Sequence, residues 1–168
     1  MVVPLSECDG ERLPEDTDEL RAFEYDYKTH MSSEELAIYN NMSRSNQLNY
    51  LINAQTALNA AVTRFPNMSQ TDTKADAFRH AYFSLLNVHL LGQTLATSLG
   101  NAHEQKVNGQ YTLASSMDLF NNEIGRNAYV NVPSNEFPPT FYNNIAYNLV
   151  TNGSLVYINN GQLKPTNQ

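Results

Sequence analysis

The sequence has no tryptophan and a single cysteine, Cys8. One cysteine excludes an intrachain disulfide, so the fold must be held by packing; 168 residues are enough for that without disulfide or metal staples. Positive charge is also scarce, with 10 Lys and Arg against 17 Asp and Glu. No basic stripe is present, and no nucleic-acid partner is expected. No run approaches the ~20 apolar residues that a membrane-spanning helix needs. No signal peptide is visible. Metalloprotease HExxH, the GxSxG elbow, a cysteine nucleophile in a catalytic setting and a phosphate-cradling loop are all absent, which removes the enzyme classes those motifs mark.

The negative charge that is there is unevenly placed. Residues 1–35 hold eleven acidic and three basic residues, whereas residues 36–168 hold six and seven. Residues 1–17, acidic and carrying two prolines and Gly10, are expected to be a poorly ordered arm that offers a protein partner, such as an inhibitor, a charged surface. Residues 18–168 are expected to form one all-α domain of five to seven helices around a buried central helix, closed by a short C-terminal β-hairpin. The spacing predicts helices over 18–30, from the Ser32/Glu35 capping box to about Met42, over 46–65, and from Thr71–Thr73 to Gly92. Further helices are predicted over 93–105, from Ser115 or Ser116 to about Asn131, and over 140–151. In the third of these seven, Leu48, Leu51, Ile52, Leu58, Ala61, Val62 and Phe65 form the apolar stripe. Asn152-Gly153 then stops the chain ahead of a hairpin over about 154–164.

Three polar clusters stand out inside this apolar pattern: Asp76-Ala-Phe-Arg79-His80-Ala-Tyr82, then Asn101-Ala-His103-Glu104, then Met117-Asp118-Leu-Phe-Asn121-Asn122-Glu-Ile-Gly125-Arg126. The first opens a helix that is apolar nearly all round, which predicts burial. Buried Asp, Arg and His need partners, and the other two clusters can provide them. Asp76 and His80, four apart, share a helix face, where a carboxylate orients an imidazole and raises its basicity. Asp118, Asn122 and Arg126 form a polar stripe, and Gly125 beside it suggests close approach of a neighbouring helix or ligand. His103 and Glu104 point about 100° apart, so one faces the site and the other supports it or meets solvent. His80 is expected within hydrogen-bonding reach of Asp118 or Asn122.

In this order the three motifs resemble an uncharacterised family of bacterial helical domains found in secreted, cell-wall-associated or toxin-like proteins. The resemblance covers about 72–126. It implies one site made of Asp76, His80, His103, Glu104, Asp118, Asn121, Asn122, Gly125 and Arg126, and a secreted or cell-envelope location, but no reaction. Phe120 departs from the pattern, which more often has a polar residue there. The residues themselves suit a hydrolase of esters or phosphoesters. His80, Asp76, His103, Glu104 and Asp118 are the catalytic candidates, and Arg79, Asn121, Asn122 and Arg126 would hold substrate. A divalent metal such as zinc or manganese is the alternative to a general base, with His80, His103 and Asp118 as candidate ligands. The competing expectation is a structural or interaction module in which the same residues form a core hydrogen-bond network. A cleft lined by both His80 and His103 favours catalysis, and a closed network favours structure.

Overall fold

Residues 14–168 are described by the structure, a computed structural model. Short polar side chains fix most of the helix starts. Thr17, Ser32, Ser43, Thr73 and Thr112 each accept a hydrogen bond from the backbone N–H three residues on, opening α1 (Asp18–Thr29), α2 (Ser33–Asn41), α3 (Arg44–Arg64), α4 (Lys74–Leu91) and α6 (Leu113–Asn127). Gly92, with φ of 87°, ends α4 and starts α5 (Gln93–His103). Pro138, in the first turn of α7 (Pro138–Thr151), sits where its missing N–H costs nothing. These seven helices bear out the all-α expectation.

Two antiparallel hairpins complete the described residues. The first, β1 (Lys106–Val107) and β2 (Gln110–Tyr111), turns through Asn108 and Gly109, both with positive φ. The sequence shows its turn but not its strands. The second, β3 (Val156–Asn159) and β4 (Gln162–Pro165), turns through Asn160-Gly161 and lies where the C-terminal hairpin is expected.

The expected central helix is central. α3, α5, α6, α7 and β3 all pack against α4, which buries Ala77, Phe78, Ala81, Tyr82, Leu85 and Leu86. One core lies between α3, α4, α6 and α7, around Phe78, Tyr82, Met117, Tyr142 and Leu155. A second lies between α1, α2, α3 and α5, around Leu20, Tyr39, Tyr50, Leu51 and Leu99, and Phe83 of α4 packs against both.

Several boundaries and faces differ from expectation. Thr112, not Ser115 or Ser116, caps α6, because the preceding hairpin already delivers the chain there. On α3, Leu58 and Val62 are exposed while Tyr50 and Asn53 are buried. The helix turns its Asn53 amide inward because Asn87 of α4 accepts from it at 2.9 Å. Phe120 of α6 is exposed, in keeping with the polar residue that the family pattern more often has there. At the arm, Asp16 bonds Arg21 and Arg44 and Thr17 caps α1, so these two attach to the helical body; the expectation for residues 1–13 lies outside the described residues. Among the described residues no helix is long and apolar enough to cross a membrane.

Gly125 is what allows α4 and α6 to meet. A Cβ at that position would lie 2.6 Å from the Ala81 carbonyl oxygen and 2.8 Å from Ala81 Cα, both backbone atoms that cannot move aside alone. Gly125→Ala gains about 1 kcal/mol of helix propensity but must push two packed helices apart. It should destabilise the protein by about 2 kcal/mol net, within the range for overpacking, read as a lower urea midpoint at unchanged m-value.

Candidate functional site

The α4–α6 contact carries the first and third polar clusters to one point. His80 is buried, as expected, and its ring is bonded from α6. His80 Nδ1 lies 3.1 Å from Asn122 Oδ1, an amide oxygen that can only accept, so Nδ1 is the donor. Ser84 Oγ donates to the same oxygen at 3.4 Å. His80 Nε2 then faces Asp118 Oδ1 at 3.2 Å, Asp76 Oδ1 at 3.3 Å and Arg79 Nη2 at 3.3 Å. The expected reach between His80 and the third cluster is met twice, through Asp118 and through Asn122.

The two carboxylates are held very differently. Asp76 accepts from Arg79 Nη2 at 2.6 Å and from the Asp72 backbone N–H at 2.7 Å. Burial works against its charge, but His80, Arg79 and the Asp72 amide outweigh it and hold the Asp76 carboxyl down at about 2. Asp118 has no such donors, and its Oδ1 is buried without a hydrogen bond. Burial first, then the nearby charges of Asp76 and Glu104, push the Asp118 carboxyl up to about 7 against the opposing pull of His80 and Arg79.

The second cluster completes the site from α5 in an unexpected way. Glu35 is fully buried, and its carboxylate does not reach back to its own helix start as a capping box would have it. It accepts from His103 Nδ1 at 2.6 Å and from Tyr50 Oη at 2.6 Å. Ser32 places it there: Ser32 Oγ caps Glu35 N–H and donates to the Ala102 carbonyl, joining the start of α2 to the end of α5. The Glu35 bond, opposed by burial and reinforced by the charges of Glu35, Glu104 and Asp118, raises the proton affinity of His103 above the ordinary histidine value. Burial, with Glu35 close by, keeps the Tyr27 and Tyr50 hydroxyls protonated far into alkali. Glu35 and Tyr50 are the site residues the sequence reading missed. The available signal was an acid that served equally well as a capping residue, and only the α2–α5 contact distinguishes the two uses.

A cleft with room for about 40 Å³ runs between these two groups. His80, Arg79 and Ser84 of α4, His103 and Gly100 of α5, Asn122 of α6 and the rings of Tyr27 and Tyr50 line it. That space exceeds what one water needs. Of the paired expectation for His103 and Glu104, His103 faces the cleft. Glu104 is buried, with Oε1 unpaired.

Two expected substrate-binding residues are placed elsewhere. Asn121 is fully buried, and its amide exchanges two bonds with the Val156 backbone, at 2.8 and 2.9 Å. Adjacent helical residues diverge by about 100°, so Asn121 clamps β3 while Asn122 faces His80. Arg126 is buried under Gly100 with Nη1 unpaired, and burial lowers its proton affinity. Of the three expected metal ligands, His80 and Asp118 come together and His103 stands apart from them. Asp76 takes its place beside His80 and Asp118, the three offering ligand atoms within 4.8 Å of one another.

The His103–Glu35 pair has a definite pH signature. A histidine whose folded proton affinity is raised contributes stability that is fully present below its unfolded value, about 6.5, and lost as pH rises through the higher folded value. The Tm difference between wild type and Glu35→Gln should therefore be larger at pH 6 than at pH 9. An equal difference at both would show that the pair does not carry linked protons.

No curated protein and no solved structure matches the chain. The family is legible in the sequence instead: residues 26–154 match the model of a family described as a domain of unknown function, DUF6973, and the chain belongs to that family.

Proposed function

We propose that the protein is a hydrolase that cleaves esters of anionic groups, phosphoesters first, with His103 as its general base and acid. The observation that supports this reading is the setting of His103. A fully buried carboxylate holds its Nδ1, and Nε2 is the nitrogen left for water in a cleft shared with His80 and Arg79. In the proposed step, Nε2 takes a proton from water as the water oxygen bonds to the phosphorus or carbonyl carbon. The bond to the leaving oxygen breaks, and the imidazolium returns its proton to that oxygen. Arg79, with its side chain about one-third exposed, is placed to hold the anionic group. The raised proton affinity of His103 suits both halves of the cycle at neutral pH.

The competing module reading draws support from Asn53–Asn87 and Asn121–Val156, which are closed hydrogen-bond pairs. It accounts poorly for Asp118 and Glu104, each of which keeps a buried oxygen without a donor. The resemblance to envelope- and toxin-associated domains supports action at or beyond the cell envelope as part of the same proposal.

Assay of the full chain against p-nitrophenyl phosphate, bis-p-nitrophenyl phosphate and p-nitrophenyl acetate tests the reading. Wild type should turn over at least one phosphoester, and His103→Gln should lower kcat by about 10²–10⁴, the usual contribution of a positioned acid–base group. Turnover that His103→Gln leaves unchanged, or no turnover of any of the three, overturns it.

A further inference from the structure

Three ligand-type atoms converge where α4 meets α6. They are one oxygen each of Asp76 and Asp118 and a ring nitrogen of His80. Nε2 is the nitrogen concerned, 3.3 Å from Asp76 Oδ1 and 3.2 Å from Asp118 Oδ1. Donors bound to one cation at about 2.0–2.1 Å stand about 2.8–3.4 Å apart in octahedral or tetrahedral arrangement. Both measured separations fall in that window before any cation is considered.

Unpaired charge at the same point favours a cation. Asp118 Oδ1 and Glu104 Oε1 are buried and accept no hydrogen bond, and Glu104 is about nine-tenths removed from solvent. Arg79 reaches Asp76 but bonds neither Asp118 nor Glu104. Asp76 and Asp118 thus bring an oxygen each to within 3.3 Å of one His80 nitrogen while Arg79 bonds Asp76 alone, a crowding of negative charge that a bound cation would offset. The orientation of the imidazole favours one too. A metal-bound histidine characteristically donates its other N–H to a fixed oxygen, as His80 Nδ1 does to Asn122 Oδ1.

We propose that Asp76, His80 and Asp118 bind one divalent transition-metal ion, Zn²⁺ or Mn²⁺, with Asn122 orienting the imidazole from outside the ligand set. One nitrogen and two carboxylate oxygens suit these ions better than Mg²⁺, which prefers oxygen donors alone and sheds water reluctantly. Three protein ligands leave coordination positions for water, as catalytic rather than structural sites do. Arg79 and the ion compete for Asp76 Oδ1, and the partly exposed Arg79 side chain can withdraw toward solvent. Because His80 also lines the cleft, the ion would sit beside the space that His103 faces. The site does not rest on the hydrolytic reading, and its test reads binding rather than turnover.

Chelator-treated full-length protein is titrated with ZnCl₂, MnCl₂ and MgCl₂ by calorimetry, with Tm followed in parallel. Wild type should take up one Zn²⁺ or Mn²⁺ per chain and gain Tm, with Mg²⁺ weaker. Asp118→Asn removes a crowded carboxylate while keeping its shape, so it should fold with a metal-free Tm no lower than wild type and lose the metal-induced gain. Asn122→Ala should weaken affinity about 10–100-fold, the usual effect of losing an outer-shell orienting group. His103→Gln should bind as wild type does. No saturable uptake at about 1 mM ion, or uptake unchanged by both Asp118→Asn and Asn122→Ala, overturns the proposal. Metal uptake by a chain that hydrolyses nothing would leave this site standing and remove only the hydrolytic reading.

Discussion

The backbone contact between Gly125 and Ala81 governs the geometry of the polar centre. No side chain separates α4 from α6 at that point, so the helices approach far enough for Asp118 and Asn122 to reach His80 at hydrogen-bonding distances. One turn from Gly125, Asn121 ties α6 to β3 through Val156. β3 in turn bonds the Asp72 carbonyl through Ile158 N–H, and the Asp72 amide bonds Asp76. The C-terminal hairpin therefore braces both halves of the α4–α6 site from behind without entering it. Four residue pairs hold the hairpin together, and Val156, Tyr157 and Ile158 also pack it against the core.

The cleft is asymmetric in how its charges are met. On the α5 side, Glu35 is fully buried yet has two short donors, His103 and Tyr50, so both of its oxygens are met by fixed hydrogen bonds. Asp118 of α6 and Glu104 at the end of α5, by contrast, each keep a buried oxygen without a hydrogen bond. Stable folds tolerate such groups mainly where function uses them, because each unmet buried polar atom costs about 1–3 kcal/mol. The contrast with Asn53–Asn87, buried nearby and closed on itself, shows that the same core can satisfy polar groups fully.

The elements differ in how far the sequence discloses them. Helix starts at Ser32 and Thr73, the stop at Gly92 and the final hairpin are written in local chemistry, and the structure places them there. The cap of α6 misleads, since Thr112, Ser115 and Ser116 are chemically equivalent and only the β1–β2 turn decides among them. The apolar stripe of α3 misleads at Leu58 and Val62, because the helix is rotated by what Tyr50 and Asn53 contact rather than by its own hydrophobicity.

Residue order alone carries the helical class, the burial of α4 and the membership of Asp76, His80, Asp118 and Asn122 in one neighbourhood. Periodicity and the need to satisfy buried polar groups act within a helix and its partners, and both are visible in residue order. Packing of the helices settles that Glu35 serves His103, that Asn121 serves the hairpin, and that Asp76 rather than His103 joins His80 and Asp118. Each of these is a choice between chemically adequate partners far apart in the chain. Local sequence leaves such choices equal, and helix packing separates them by bringing one partner within about 3 Å and leaving the other out of reach.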